Sequence, residues 1–306
     1  MAELKPERKW MFIKASTMEE KAGVLVAGGK KPKKPLQPQP GSITKAPQFF
    51  TNILQAEPTL DMVTSLRISL GAQPVEWLID FTEINGIDIL LNILSSVEAK
   101  PKKNSEDVQM ESEILKCLKI IMNIQPGLDK VLKTSLGLRK IAACLSSDNM
   151  NTRITILGLL AAVCLCFDTD GHRQVLEAMS HYKLVHRENA RFESILKDLK
   201  SSDNMEFVTN ALTFINAIVN SPADIDVRTY LREEFVKLGL TEVLEKFKRE
   251  VKEDSDLYIQ IEVYEEEAQY DKEEMLERFN ELKCDIKSLD SVLSSLLNQV
   301  KGSFSI

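Results

Sequence analysis

One short apolar unit recurs along this chain. It reads GIDILLNIL at Gly86–Leu94, GLRKIAACL at Gly137–Leu145 and GLTEVLEKF at Gly239–Phe247, and FESILKDL at Phe192–Leu199 is the same unit without its glycine. Most copies are followed by a polar break and then a longer apolar segment, containing CLKIIMNI, ITILGLLAAVCLC or ALTFINAIV. The period is roughly 50 residues, slightly long for armadillo or HEAT units. Leu66, Leu70, Val75, Leu78, Ile79 and Ile84 also recur at helix-compatible spacings, while few segments alternate with period two for long. A repeated helical unit buries its apolar face only against its neighbours, so the repetition confines the chain to a stack. The expected fold is all-α, an armadillo-like helical-repeat superhelix (solenoid).

The pentapeptide SSDNM occurs twice, at Ser146–Met150 and Ser201–Met205, each time before a long apolar segment. Superposing the copies pairs Leu157 with Leu212, Leu160 with Ile215 and Ala162 with Ala217. Asp148 or Asn149, and Asp203 or Asn204, are placed to cap the helix that follows by accepting from N–H groups with no partner in its first turn. SSDNM therefore reads as the elbow between the last two helices of a repeat.

The chain divides into three regions. Residues 1–47 carry 10 Lys/Arg against 4 Asp/Glu and contain GGKKPKKPLQPQPGS, where proline blocks helix and glycine adds entropy. They read as a flexible basic leader, with ERKWMFIKAS as a short docking helix through Trp10 and Phe12. KKPKK reads as solvated linker rather than a nuclear localisation signal. Residues 48–270 hold the repeats, with VEAKPKKNSEDVQ (97–109) as a polar break. Residues 271–306 continue as a C-terminal helix, in which Met275, Phe279, Leu282, Ile286, Leu289, Leu293, Leu296 and Val300 form a heptad. That stripe fits either an incomplete last repeat or the start of a dimerisation region, which would make a homodimer. From Glu250 to Asp290 there are 15 acidic and 5 basic residues, densest in EVYEEEAQYDKEE. Such a run is a solvated helix face or an attractor for a basic partner segment.

Composition narrows the function classes. With 306 residues, 43% of them hydrophobic, the chain has ample material for a core, and a formal charge of −7 argues against nucleic acid. No run reaches the apolar length of a membrane span, and Met1 to Lys14 lacks the apolar core of a signal peptide. The odd cysteine count (Cys117, Cys144, Cys164, Cys166 and Cys284) in apolar patterns reads as buried thiols in a reducing, cytoplasmic setting. In a helix, Cys164 and Cys166 would point about 200° apart, which suits no single metal ion. His172, His181 and His186 belong to no catalytic signature, and no phosphate-binding, nucleophile-elbow or zinc-protease motif occurs. No enzyme, metal or cofactor is expected.

Asn123 and Asn216 sit in apolar helical patterns. A buried carboxamide left unpaired costs about 1–3 kcal/mol. Each either bonds a neighbouring helix or faces a groove, where it can both donate to and accept from a bound peptide backbone.

Several separated motifs, in order, carry a resemblance over roughly residues 60–300. LRISLGAQPVEWLIDFTEINGIDILLNIL resembles the first armadillo repeat of the diaphanous-related formins. CLKIIMN, LLAAVCL, VLEAMSHYK, RFESILKDL, FINAIVNSPADIDVRTYLREEFVKLGL and DLYIQIEVYEEE resemble later parts of the same region. RKW, SDN, HYK and IQ-E-EE are most similar to the inverted-formin branch. The resemblance implies a GTPase-binding segment plus FH3, the diaphanous inhibitory domain. In that family a concave groove binds an amphipathic autoregulatory helix from the formin's own C-terminal end, and a Rho-family GTPase binds on the N-terminal side.

By motif, the implied groove residues are Lys119, Asn123, Ala162, Leu165, Cys166 and Asn216. Glu265, Glu266 and Glu267 form the implied acidic patch for the basic tail of the autoregulatory segment. Ile68, Gly71, Ala72 and Gln73 lie at the implied GTPase-contacting turn, where diaphanous members carry an asparagine cluster instead. Actin enters only indirectly, through an FH2 domain absent from these residues, at a cytoplasmic, cytoskeleton-associated location. The repeats by themselves leave open a generic armadillo-like adaptor or scaffold binding another peptide ligand.

Overall fold

The structure, a computed structural model, describes residues 45–134, 136–166 and 170–281. Among these residues every regular element is helical. A pair of helices, α1 (Pro47–Ala56) and α2 (Leu60–Ala72), precedes four three-helix repeats. Their first helices are α3 (Val75–Glu83), α6 (Gln125–Lys133), α9 (Gly171–His186) and α12 (Ile225–Lys237). Their second helices are α4 (Gly86–Glu98), α7 (Gly137–Ala143, continued by a 3₁₀ turn, Cys144–Ser146), α10 (Glu193–Ser201) and α13 (Leu240–Glu250). Their third, long helices are α5 (Ser105–Ile121), α8 (Met150–Cys164), α11 (Met205–Asn220) and α14 (Asp256–Glu281). The armadillo-like solenoid expected from the repetition is borne out.

The elbow before each third helix is capped. Asn149 accepts from the N–H groups of Asn151 and Thr152, and Asn204 from that of Phe207. The asparagine, not the aspartate, of each SSDNM does the capping, while Ser147 and Ser202 accept from the asparagine N–H groups themselves. Asn104 and Asp107 form a reciprocal capping box at α5, and Ser255 caps α14 through the Tyr258 N–H. This box starts α5 at Ser105, so the polar break read as 97–109 shrinks to residues 99–104.

The corner before each second helix uses a left-handed residue: Asn85 (φ 64°), Leu136 (φ 62°), Phe192 (φ 72°) and Gly239 (φ 83°). Four corners with one backbone solution show four copies of one unit. They also shift the register read from sequence. Gly86 and Gly137 follow the left-handed residue, whereas Gly239 is that residue. A side chain at Gly86 would collide with the Phe81 ring, so that glycine serves close packing rather than backbone freedom.

The long helices form a ladder, α5 on α8, α8 on α11 and α11 on α14. Leu157, Leu160, Leu212 and Ile215, paired by the SSDNM superposition, are all buried in it. At its N-terminal end the ladder is covered by α2, which runs antiparallel to α5: Arg67 pairs with Glu113 while the Cys117 thiol reaches the Val63 carbonyl. At the other end, α14 is clasped to α12 by buried Asp271, which accepts from Arg228 at 2.7 Å and Arg232 at 2.5 Å. The division at residue 270 falls inside the uninterrupted α14. The leader before Lys45, Cys284 and the heptad side chains after Met275 lie outside the described residues.

Candidate peptide groove and partner turn

The ladder leaves one stripe of each long helix uncovered. On α8 it contains Asn151, Thr155, Gly158 and Ala162, and it runs on to Cys166 just past the helix end, at spacings of 4, 3, 4 and 4 residues, all partly or fully exposed. Toward the end of α5 Lys116 and Lys119 are exposed, followed by Asn123, and on α11 Thr209, Asn210 and Thr213 remain partly exposed. Thr155, Gly158 and Thr213 were not singled out by sequence. Counting back from Ala162 at helical spacing would have reached the first two. Side chains this small let another helix approach the α8 backbone closely, and the threonines offer hydroxyl donors and acceptors.

The implied groove residues divide. Lys119 is exposed near the end of α5, Ala162 and Cys166 are half-buried on the open stripe, and Leu165 is buried beside them. The Cys166 thiol donates to the Ala162 carbonyl at 3.3 Å. Asn123 is exposed but sits in the turn after α5, so it is not a helix-buried carboxamide.

Asn216 requires a correction. It is 0% exposed, and its side-chain N–H group donates to the backbone carbonyl and to Oε1 of Gln260, each at 2.9 Å. It faces α14, not the open stripe, because the ladder continues past α11 and α14 covers that side. Asn123 and Asn216 also differ in their place along the repeat. Counted from the N-caps Asn104 and Asn204, Asn216 is level with Lys116.

The three glutamates of α14 point three ways, as successive residues 100° apart on a helix must. Glu265 pairs with Lys248 of α13, and Glu266 is exposed. Glu267 is turned inward, and its burial beside Asp271 raises its pKa above the ordinary carboxylate value, against the opposing pull of Arg228 and Arg232. They do not form a single outward-facing patch.

At the turn from α2 to α3, Ile68 (58% exposed) and Val75 (51% exposed) flank the exposed Gly71 and Ala72 and the half-buried Gln73. A side chain added at Gly71 would meet nothing within 4 Å, so the turn is open. An exposed apolar pair beside a small-residue turn suits a protein partner. α1 and α3 are joined by Trp77, which meets the Phe50 ring edge to face at 5.9 Å and donates its indole N–H to the Lys45 carbonyl, just ahead of α1, at 3.2 Å.

The grouping most like a metal centre is Glu98, Glu111 and Cys144, whose ligand atoms all lie within 4.8 Å of one another. Lys103 already bonds both carboxylates, placing an ammonium between them. Cys164, the last residue of α8, is buried, and Cys166, two residues past the helix end, is partly exposed. No helix among the described residues is long and apolar enough to cross a membrane.

The family models divide the chain in two. The Diaphanous GTPase-binding Domain matches residues 1–165, and the Diaphanous FH3 Domain matches residues 172–304. The chain belongs to the diaphanous-related formins, as their N-terminal regulatory region. Among curated relatives, Formin-F of Dictyostelium discoideum is 35% identical over 266 residues, covering 85% of this chain and 22% of that protein. Inverted formin-2 of Xenopus tropicalis is 30% identical over 257 residues, covering 84% of this chain and 18% of that protein. Protein diaphanous homolog 2 of Mus musculus is 29% identical over 307 residues, covering 97% and 26%. The chain thus spans roughly a fifth to a quarter of the length of these relatives. Inverted and diaphanous members match at similar identity, which singles out neither branch. In fold, the chain is similar to the solved structure of Entamoeba histolytica Formin1 bound to EhRho1-GTPgammaS, with a TM-score of 0.69, 15% identity, and 91% and 93% of the two chains covered. The two formin domains meet between α8 and α9, so the ladder contact of α8 with α11 joins them into one stack.

Proposed function

We propose that this formin region is a binding module that holds a helical autoregulatory segment from the formin's C-terminal end on the open stripe of α5, α8 and α11. The segment's apolar face lies over Gly158, Ala162 and Cys166, with Lys119, Asn123, Thr155 and Thr213 addressing its polar edge and Leu165 supporting the floor. The observation that carries this reading is the small-residue stripe on α8, left open where the two formin domains join. Glu266 and the outer part of α14 attract the basic end of the segment.

A Rho-family GTPase is the second partner, and it docks at the α2–α3 turn through Ile68, Val75 and residues 71–73. The presence of a Diaphanous GTPase-binding Domain over residues 1–165 supports that partner class. By holding or releasing the tail, the module controls actin filament nucleation and elongation performed by other formin domains. The module itself performs no catalysis.

The decisive experiment is calorimetric titration of the formin tail peptide, repeated with a GTP-loaded and a GDP-loaded Rho-family protein present. Saturable tail binding that weakens only with the GTP-loaded form is expected. If neither the tail nor the GTPase binds, the chain is a generic helical-repeat adaptor. Because Gly71-Ala72-Gln73 replaces the asparagine cluster of diaphanous members, tail binding without GTPase binding would confine the reading to the groove.

A further inference from the structure

A cleft of about 640 Å³ opens between the end of α1, the outer side of α4 and the first turns of α5. Its deepest part is apolar, formed by the buried Leu54, Ile89, Ile93, Val97 and Met110, while Asn92, Asn104 and the Lys100–Asp107 ion pair make up the polar part of its lining. Gln55, Ser96 and Glu106 stand on its rim and are exposed. The cleft is far along the chain from the α8 stripe and shares no residue with it or with the α2–α3 turn. Volumes of roughly 300–1,000 Å³ accommodate a ligand of several large side chains.

We propose that this cleft receives residues 8–14, RKWMFIK, of the chain's own leader. The segment presents four consecutive apolar residues, Trp10 to Ile13, flanked by Arg8, Lys9 and Lys14. The apolar floor suits the four apolar residues, and because Lys100 is already paired with Asp107, the exposed Glu106 on the rim is left as the acidic group facing the flanking basic residues. The segment can also reach. The leader joins the fold at Lys45, whose carbonyl is held by Trp77. From there α1 carries the chain to Leu54 and Gln55 on the cleft wall, about 14 Å away at 1.5 Å per helical residue. The stretch between Lys14 and Lys45 spans about 30 Å even as a random coil. Finally, the match to the GTPase-binding domain begins at residue 1, so the leader belongs to the domain rather than to a linker ahead of it. Docking fills the cleft and ties the start of the chain to the first repeat. This inference does not depend on what binds the α8 stripe.

The chain contains two tryptophans. Subtracting the fluorescence of Trp10→Phe from that of the unmodified 306-residue protein isolates Trp10 and leaves Trp77 untouched. The expected difference spectrum is blue-shifted, and acrylamide quenching is several-fold weaker than for a synthetic peptide of residues 1–20. Ser96→Arg and Gln55→Arg, both at exposed rim positions, are each expected to return Trp10 to the peptide's emission and quenching without changing the melting temperature. Emission and quenching equal to the free peptide's would overturn the proposal. So would a shielded Trp10 indifferent to both rim variants, or shielding that disappears on dilution, which would place the segment on a second copy.

Discussion

Asn216 and Gln260 are locked together across the α11–α14 interface, where one carboxamide nitrogen donates to two Gln260 oxygens at 2.9 Å each. Asn216 is fully buried and Gln260 nearly so. Asn216→Ala removes both hydrogen bonds and leaves the Gln260 oxygens without that donor. A loss of about 2 kcal/mol in urea-denaturation stability is expected. A double-mutant cycle with Gln260→Ala should show coupling of about 1 kcal/mol. A variant of unchanged stability but weakened tail binding would return Asn216 to the groove.

Ala162→Asp places a carboxylate in the middle of the α8 stripe. If the stripe holds a helix, the tail peptide pays to desolvate that charge, and affinity should fall at least about 30-fold, equivalent to about 2 kcal/mol. Ala162 is only half-buried, so the apo protein should still fold. Calorimetry showing unaltered affinity in a folded variant would remove the stripe from consideration.

Ile68→Asp should separate the two partner sites. The residue is mostly exposed, so the stability change is expected to stay within about 0.5 kcal/mol. Pull-down with a GTP-loaded Rho-family protein should weaken at least about tenfold, a loss of about 1.4 kcal/mol, while tail-peptide affinity stays constant. Loss of both together would point to a folding defect or a shared surface.

The repeat corners predict opposite responses at equivalent positions. Gly239→Ala forces a side chain into the left-handed region at φ 83° and should cost about 1 kcal/mol. Leu136→Gly relieves the same strain at φ 62° on an exposed residue. It should be neutral or stabilising by up to about 1 kcal/mol, within reach of thermal or chemical denaturation. A clear destabilisation at Leu136 would mean that its side chain packs more than its exposure indicates.

His172 makes stability depend on pH. Burial lowers its pKa below the ordinary 6.5, against the raising effect of the Ile218 carbonyl, which its Nε2 meets at 2.9 Å. Arg191 lowers it further. The unfolded chain therefore binds this proton more readily than the native one. The native advantage is complete above about pH 6.5 and is lost as pH falls from there through the depressed native pKa. Denaturation midpoints from pH 7 to 5 should fall less steeply in His172→Gln than in the unmodified protein. Identical slopes would assign the acid sensitivity to other groups.

Much of this molecule was legible because a solenoid repeats its instructions. The recurrence of SSDNM located two elbows, and the pairing of Leu157 with Leu212 and Leu160 with Ile215 located their shared core, all of it local information written in helical spacing and cap residues. The formin motifs pointed to the turn around Ile68, whose exposure follows from a helix end beside small residues. What the sequence could not determine was orientation. Gly86 and Gly239 look equivalent in alignment, yet one clears the Phe81 ring and the other adopts a left-handed backbone. Asn216 and Ala162 both lie in apolar helices, yet one is sealed under α14 and the other is open. Glu265 and Glu267 sit in one acidic run, yet they turn to different neighbours. Helical period says which residues share a face. Only the packing of α11 between α8 and α14, and of α14 against α12 through Asp271, decides which face meets another helix and which is left for a partner.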